Sequence, residues 1–233
     1  MPKKRRSTNR RLARGLEILY EDKELLVVNK PAGLLTVGTQ TNKSRTACYI
    51  LTDYLRKGCL KSRKRVFVVH RLDQWTSGVL VFAKSQEVKL RLQAQWKDTA
   101  KKYLAVVYGS PATKEGTITS YLAENKACVV YSTTDAAKGR LARTAYKVLK
   151  ETKERSLLEI GLLTGRKNQI RVHLADIGHP IVGDRKYGRA GDVHRRLALH
   201  SKSISFKHPR SDRQMTFQAR TPAYFNTLMG GRA

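Results

Sequence analysis

The chain has 233 residues, 40% of them hydrophobic, enough to bury a sizeable core without disulfide or metal staples. Its 47 Lys and Arg against 18 Asp and Glu give a formal charge of +29 at pH 7, an excess that calls for a polyanionic partner, nucleic acid ahead of an anionic membrane. The three cysteines, Cys48, Cys59 and Cys128, fall in no metal-ligand spacing, and no apolar run approaches the roughly 18 residues of a membrane span; a reducing, cytoplasmic setting is expected, with no metal and no membrane.

Residues Met1 to Gly15 hold seven cations and no acid, and read as a flexible basic arm that touches phosphates. From residue 16 to 233 a single folded domain is expected. Ile18–Tyr20 and Leu25–Asn29 flank the polar turn Glu21–Glu24 as an early hairpin, which Pro31-Ala32-Gly33 ends. A helix is predicted within Thr46–Leu60, a short buried strand at Val66–Val69 and another strand at Val79–Ala83. Ser85 is placed to cap a helix carrying Val88, Leu92 and Trp96 on one face. Strands follow at Tyr103–Tyr108, Val129–Ser132, Ala142–Leu149 and Leu157–Leu163, separated by gaps rich in Gly, Lys and Thr. A helix over Asn168–Ile177 puts Ile170, Leu174 and Ile177 on one face and stops at Gly178. Late strands at Leu197–Phe206 and Met215–Gln218 precede a short helix opened by Pro222. The pattern predicts an α+β fold with a mixed, mainly antiparallel central sheet and flanking helices and loops.

Two segments concentrate polar chemistry. His70-Arg71-Leu72-Asp73-Gln74-Trp75-Thr76-Ser77-Gly78 packs a carboxylate, cations, hydroxyls, an aromatic and a glycine between two predicted strands. Spacing leaves two readings of Asp73 open: a turn cap or partner of Arg71, or a reactive carboxylate. The second segment, Thr164 to His173, places Arg171 near the start of a helix whose N-terminus attracts anions. Were Arg171 about 4 Å from Asp73, their attraction would be on the order of 4 kcal/mol at an effective dielectric near 20, keeping the carboxylate ionised among nucleic-acid phosphates.

Four stretches together resemble the RluA family of RNA pseudouridine synthases: HRLDQWTSG at His70–Gly78, KKYLAVVYG at Lys101–Gly109, TGRKNQIRVHLADIGHPIVGDRKYG at Thr164–Gly188, and Leu199-His200 with Phe206–Pro209. The resemblance implies isomerisation of specific uridines in structured RNA, ribosomal or transfer RNA or both, with no cofactor. It implies catalytic roles for Asp73, for Tyr103 as the ring that stacks on the target uracil, and for Arg171 as the partner of Asp73. Substrate-binding positions implied around them are His70, Arg71, Gln74, Thr76, Lys102, Arg166, Gln169 and His173. Many relatives have Arg where this chain has Gln74 and His where it has Asn168, so RNA contacts are expected to differ while the reaction is kept. Many also carry a small RNA-binding domain in front of the catalytic one; here the basic arm is expected to serve instead, and the enzyme to act as a monomer without an obligate protein partner. Two rivals stay open: a non-enzymatic RNA-binding protein, which would explain the charge but not the setting of Asp73, and a glycosylase, which would release free uracil.

Overall fold

Leu25-Leu26-Val27-Val28 is too uniformly apolar for a strand with one wet face, and in the computed structural model of the protein all four residues are fully buried. The structure describes residues 10–38, 44–59 and 61–231. In chain order its elements are β1 (Arg10–Arg11), β2 (Glu17–Glu21), β3 (Leu25–Lys30), α1 (Ala47–Arg56), β4 (Phe67–Val68), β5 (Ser77–Ala83), α2 (Gln86–Ala94), β6 (Ala100–Tyr108) and β7 (Glu115–Glu124). Then come β8 (Val130–Thr133), β9 (Arg140–Glu151), β10 (Arg155–Leu162), α3 (Gln169–Asp176), β11 (Leu199–Lys207), β12 (Gln214–Gln218) and α4 (Ala223–Leu228). Every pairing between the strands described below is antiparallel, as expected for the α+β class.

The chain forms two compact units, and neither is a continuous stretch of sequence: the first takes residues up to Thr99 and Ser203–Ala219, the second Ala100–Lys202 and the residues from Arg220 on. In the first unit the hairpin β2–β3 forms as the sequence predicts. Asp22 fixes its turn by accepting from the backbone N–H of Glu24 and Leu25 at 2.8 and 2.7 Å. β3 pairs with β5 in a register that sets Val27 opposite Val81, and the C-terminal half of β11 pairs with β12. One face of this sheet is closed by Val88 and Leu92 of α2, packed with Leu25, Val27, Val79, Val81, Ile204, Phe206 and Phe217. Ser85 caps α2 by accepting from Val88 N at 3.2 Å, as Thr46 caps α1 by accepting from Tyr49 N at 3.1 Å.

One expectation for this unit changes. The helix α2 ends at Ala94, so Trp96 lies in the turn beyond it. Gln95 exchanges two hydrogen bonds with the backbone of Lys207, at 2.9 and 3.1 Å, and this tether to β11 ends the helix where periodicity alone would have continued it. The last six residues of the expected basic arm are described. Arg10 and Arg11 pair with Ile18 and Glu17 of β2, the Arg10 guanidinium lies 5.1 Å from the centre of the Tyr54 ring, and a tight turn over Ala13–Gly15 follows. The first nine residues of the arm lie outside the described residues.

In the second unit the strand order is β6-β10-β9-β7-β8. The ten-residue β7 falls in a stretch that reads in sequence as a gap. Its first seven positions are exposed or half-exposed and only Leu122 and Ala123 near its end are buried, with Thr117 and Thr119 supplying β-branching, so pairing with β9 and β8 is what reveals it. The helix α3 packs Val172 against Leu122, Val130 and Ala142. Ile177, expected on its apolar face, lies just past its end and is 36% exposed; the buried stripe holds Gln169, Ile170, Val172, His173 and Leu174 instead. Gly178, at φ +81°, ends the helix in the left-handed region as predicted.

Candidate active site

Two loops of the first unit are bound to each other and carry Asp73. Pro31, with no N–H to offer the ladder, ends β3 and starts a loop that runs to Thr36. The segment from His70 to Thr76 joins β4 to β5. Gly33 N donates to Gln74 O at 2.9 Å and Gln74 Nε2 donates back to Gly33 O at 3.2 Å. The Thr36 hydroxyl donates to Leu72 O at 2.8 Å and accepts from Leu72 N at 3.2 Å, so one buried side chain fixes both backbone groups of the residue before Asp73. Gly33 has φ +88°, and a Cβ there would stand 3.4 Å from the Trp75 ring; the position needs glycine for its backbone and for the indole lying on it. Thr76 N donates to Asp73 O at 3.1 Å and closes the turn after the aspartate.

Beneath this junction lies Lys30, which nothing in the sequence motifs singles out. It is fully buried, and its Nζ donates to the carbonyls of Pro31, Leu34 and Gln74 at 3.0, 2.8 and 3.0 Å. Three acceptors match the three N–H bonds of an ammonium. Burial pushes its pKa down to about 7, against the pull of the Asp73 charge, which favours the protonated form. A lysine at a strand end before Pro-Ala-Gly reads in sequence as a surface residue; only the fold of the two loops shows that it is their shared cation.

The other residues expected in this segment divide by exposure. Arg71 and Gln74 face solvent and Asp73 is half-buried, an arrangement that leaves the carboxylate reachable. His70 accepts from Val81 N through Nε2 at 3.1 Å and its ring stacks on Trp96, with centroids 4.6 Å apart, so it pins the start of the loop to β5. Thr76, expected to bind substrate, is 2% exposed, and its backbone N–H closes the turn after Asp73.

The remaining predicted residues belong to the second unit. Tyr103 sits in β6 opposite Ile160 and is 6% exposed; Lys102 beside it points outward and pairs with Glu159 at 2.8 Å. Arg171, in the first turn of α3, makes a two-pronged ion pair with Asp184, Nε to Oδ2 and Nη2 to Oδ1, both at 2.7 Å. Backbone N–H groups of Lys186 and Tyr187 also donate to Asp184 Oδ1, at 2.9 and 3.0 Å. Burial would raise the Asp184 carboxyl, but the hydrogen bonds and charge of Arg171 outweigh it and hold the group below the usual aspartate value. Asp184 lies within the Thr164–Gly188 motif, and no spacing rule links it to Arg171.

Two of the residues expected to contact substrate are buried in this unit. Gln169 is 2% exposed: its Oε1 accepts from Thr164 Oγ1 and Arg166 N at 2.8 and 2.9 Å, and its Nε2 donates to Arg143 O and Thr144 Oγ1 at 3.0 and 2.9 Å. His173 is fully buried, with Nδ1 2.9 Å from Thr144 Oγ1 and Nε2 3.1 Å from Ser120 Oγ, and burial lowers its pKa. Both side chains are consumed in tying α3 to the sheet. Arg166 is exposed and donates through Nε to Leu141 O at 3.1 Å. Among the described residues no group of three or more His, Cys, Asp and Glu is arranged to hold a metal ion, and no helix is long and apolar enough to cross a membrane.

Residues 24–176, which include the Lys30 junction, Asp73, Tyr103 and Arg171, match the family model described as RNA pseudouridylate synthase. The chain belongs to that family. The synthase is 36% identical over 222 residues to the dual-specificity RNA pseudouridine synthase RluA of Escherichia coli (strain K12), covering 90% of this chain and 94% of that one. It is also 36% identical over 225 residues to the ribosomal large subunit pseudouridine synthase D of Zymomonas mobilis, covering 89% and 69% of the two chains. Among solved structures it is similar to human RNA pseudouridylate synthase domain containing 4, with a TM-score of 0.73 and 25% identity over 89% of each chain. The synthase is thus an RNA isomerase that makes pseudouridine, and the RluA-like motifs read in the sequence point to the same family.

Proposed function

We propose that the synthase acts on uridines of ribosomal or transfer RNA, or both, with Asp73 as its essential carboxylate. The observation that carries this reading is the double-loop clamp: Thr36, Gln74 and Lys30 fix the backbone on either side of a half-buried aspartate, while its neighbours Arg71 and Gln74 face solvent. Such a carboxylate is held in place without being sealed off, as a group that must meet a reacting ribose requires. The reaction breaks the bond from ribose to the uracil nitrogen, turns the base and rejoins it through ring carbon five, with neither redox change nor energy source. Asp73 acts at the ribose, either on the anomeric carbon or on the neighbouring 2′ proton, and both routes need it ionised.

A uridine in a stacked strand must first be flipped out, at a cost of a few kcal/mol. Stacking on Tyr103 would offset about 1–3 kcal/mol of that. The charge of +29 supports recognition of the RNA backbone. Relatives that act on ribosomal RNA or carry dual specificity support the choice of substrate class. The same reading places a monomeric enzyme in the cytoplasm; three unpaired thiols fit a reducing compartment.

The test is to incubate the synthase, and Asp73→Asn beside it, with total RNA lacking pseudouridine and to map the product at nucleotide resolution. Sites made only by the parent protein assign both target and catalytic residue. Sites made equally by Asp73→Asn would remove Asp73 from the chemistry, and released uracil would indicate glycosylase action.

A further inference from the structure

Beside the Asp73 loop lies a pocket of about 370 Å³ that the catalytic residues do not occupy. Its wall is the Pro31–Leu35 loop together with Gln74, and Arg14 and Arg45 are the only charged residues lining it among the described residues. The volume falls at the lower end of the roughly 300–1,000 Å³ range of small-ligand sites. Two guanidiniums and no carboxylate make it a site for an anion, and neither arginine has an ion-pair partner among the described residues.

Arg14 is held there against its backbone preference. It has φ 57° and ψ 26° in the turn Ala13–Gly15, where a side chain costs roughly 1–2 kcal/mol, and Leu12 N locks the turn to Leu16 O at 2.7 Å. The turn abuts Pro31, whose Cγ stands 4.0 Å from the Cβ position of Gly15. An aromatic surface adjoins the same loop: the Trp75 ring rests on Gly33, yet 42% of the residue stays accessible. Anion-binding arginines next to an accessible indole are the elements of a single-stranded nucleic-acid site, the backbone held by charge and the base by stacking.

We propose that this pocket binds a nucleotide of the RNA substrate next to the target uridine, its phosphate on Arg14 and Arg45 and its base on the Trp75 indole. Gln74, which lines the pocket, follows Asp73 directly in the chain, so the pocket adjoins the loop that carries the reacting carboxylate. The inference rests on the proposed role of Asp73. It adds a subsite that decides which unpaired sequences can deliver a uridine to that residue.

Trp75 and Trp96 are the only tryptophans, so Trp96→Phe leaves Trp75 as the sole indole emitter in the full-length protein. Titrating that protein with a short oligouridylate should quench Trp75 emission saturably. Adding Arg14→Gln and Arg45→Gln should weaken the titration about tenfold at low salt, and should reduce the slope of log K against log salt by about 0.7 for each phosphate that is no longer neutralised. In the parent background the double arginine variant should raise KM for unmodified RNA with little change in kcat, and Trp75→Phe should keep affinity that Trp75→Ala loses.

Circular dichroism melting confirms that each variant is folded. Unchanged Trp75 emission, or a titration indifferent to both arginines, overturns the subsite. Pseudouridine formation by the parent protein, measured on the same RNA, separates the two readings. If the parent makes pseudouridine while Trp75 stays silent, only the pocket is refuted. If Trp75 reports arginine-dependent binding while Asp73→Asn stays fully active, the pocket stands as an RNA site and the role of Asp73 falls.

Discussion

The Lys30 ammonium donates to the carbonyl of Gln74 at 3.0 Å, across forty-four positions of sequence, and so ties the end of β3 to the residue that follows Asp73. One buried cation thereby organises both loops of the site. Removing it should do more than leave a gap, because three inward-facing carbonyls would lose their donor.

The pH dependence of Lys30 has a definite sign. Below about pH 7 the lysine is protonated in both folded and unfolded chains; between there and its ordinary 10.5 only the unfolded chain keeps the proton, so raising the pH stabilises the fold. The unfolding free energy of the parent should therefore gain on that of Lys30→Met by up to about 1.4 kcal/mol per pH unit above pH 7. Urea unfolding of both proteins from about pH 6 to about pH 9 checks this; a gap that does not change with pH would mean that Lys30 stays charged in the folded protein.

Thr36 offers a test of positioning. Thr36→Val keeps the shape but removes the hydroxyl that serves both backbone groups of Leu72, leaving them buried without it. The loss in stability should be about 1–3 kcal/mol. At a temperature where the variant is folded, kcat should fall about tenfold while KM changes little, because the misplaced group is the one that meets the ribose. Thr36→Ser should restore most of the activity, and parallel steady-state kinetics on unmodified RNA decide the point.

In the second unit, Asp184→Asn removes the charge of the carboxylate that takes both prongs of the Arg171 guanidinium. The cost should be about 1–3 kcal/mol at neutral pH, the weakening of charge-assisted hydrogen bonds. The carboxyl titrates below its unfolded value of 3.8, so its contribution is fully present above that pH and is lost as the pH falls through the lower folded value. The gap between parent and variant should accordingly close in acid, as measured by urea unfolding at about pH 7 and about pH 3.

Gln169→Ala distinguishes a structural glutamine from a substrate contact. Four hydrogen bonds end on this buried amide, so the variant should melt earlier, with a loss of about 2–3 kcal/mol, while the KM for RNA of the folded fraction stays at the parent value. A raised KM without loss of stability would return Gln169 to the binding surface.

Much of this protein was legible in its sequence. The hairpin at Leu25, the capped helices after Thr46 and Ser85 and the left-handed stop at Gly178 follow from local chemistry: apolar runs, side-chain caps and glycine's freedom at positive φ. The four stretches His70–Gly78, Lys101–Gly109, Thr164–Gly188 and Leu199-His200 with Phe206–Pro209 together sufficed to name the family. Charge alone pointed to a polyanion.

Other features were decided only by tertiary structure, because they depend on which distant backbone groups meet. Gln169 and His173 carry the polarity of a binding site, but folding spends every donor and acceptor they have on Thr144, Ser120 and their neighbours. β7 has no apolar period and exists because β9 and β8 satisfy its backbone. Lys30 and Asp184 gain their significance from the carbonyls and the guanidinium that the fold brings to them. Periodicity reports which side of an element faces a core, whereas hydrogen bonds and ion pairs across 13 to 44 residues are set by how the elements dock.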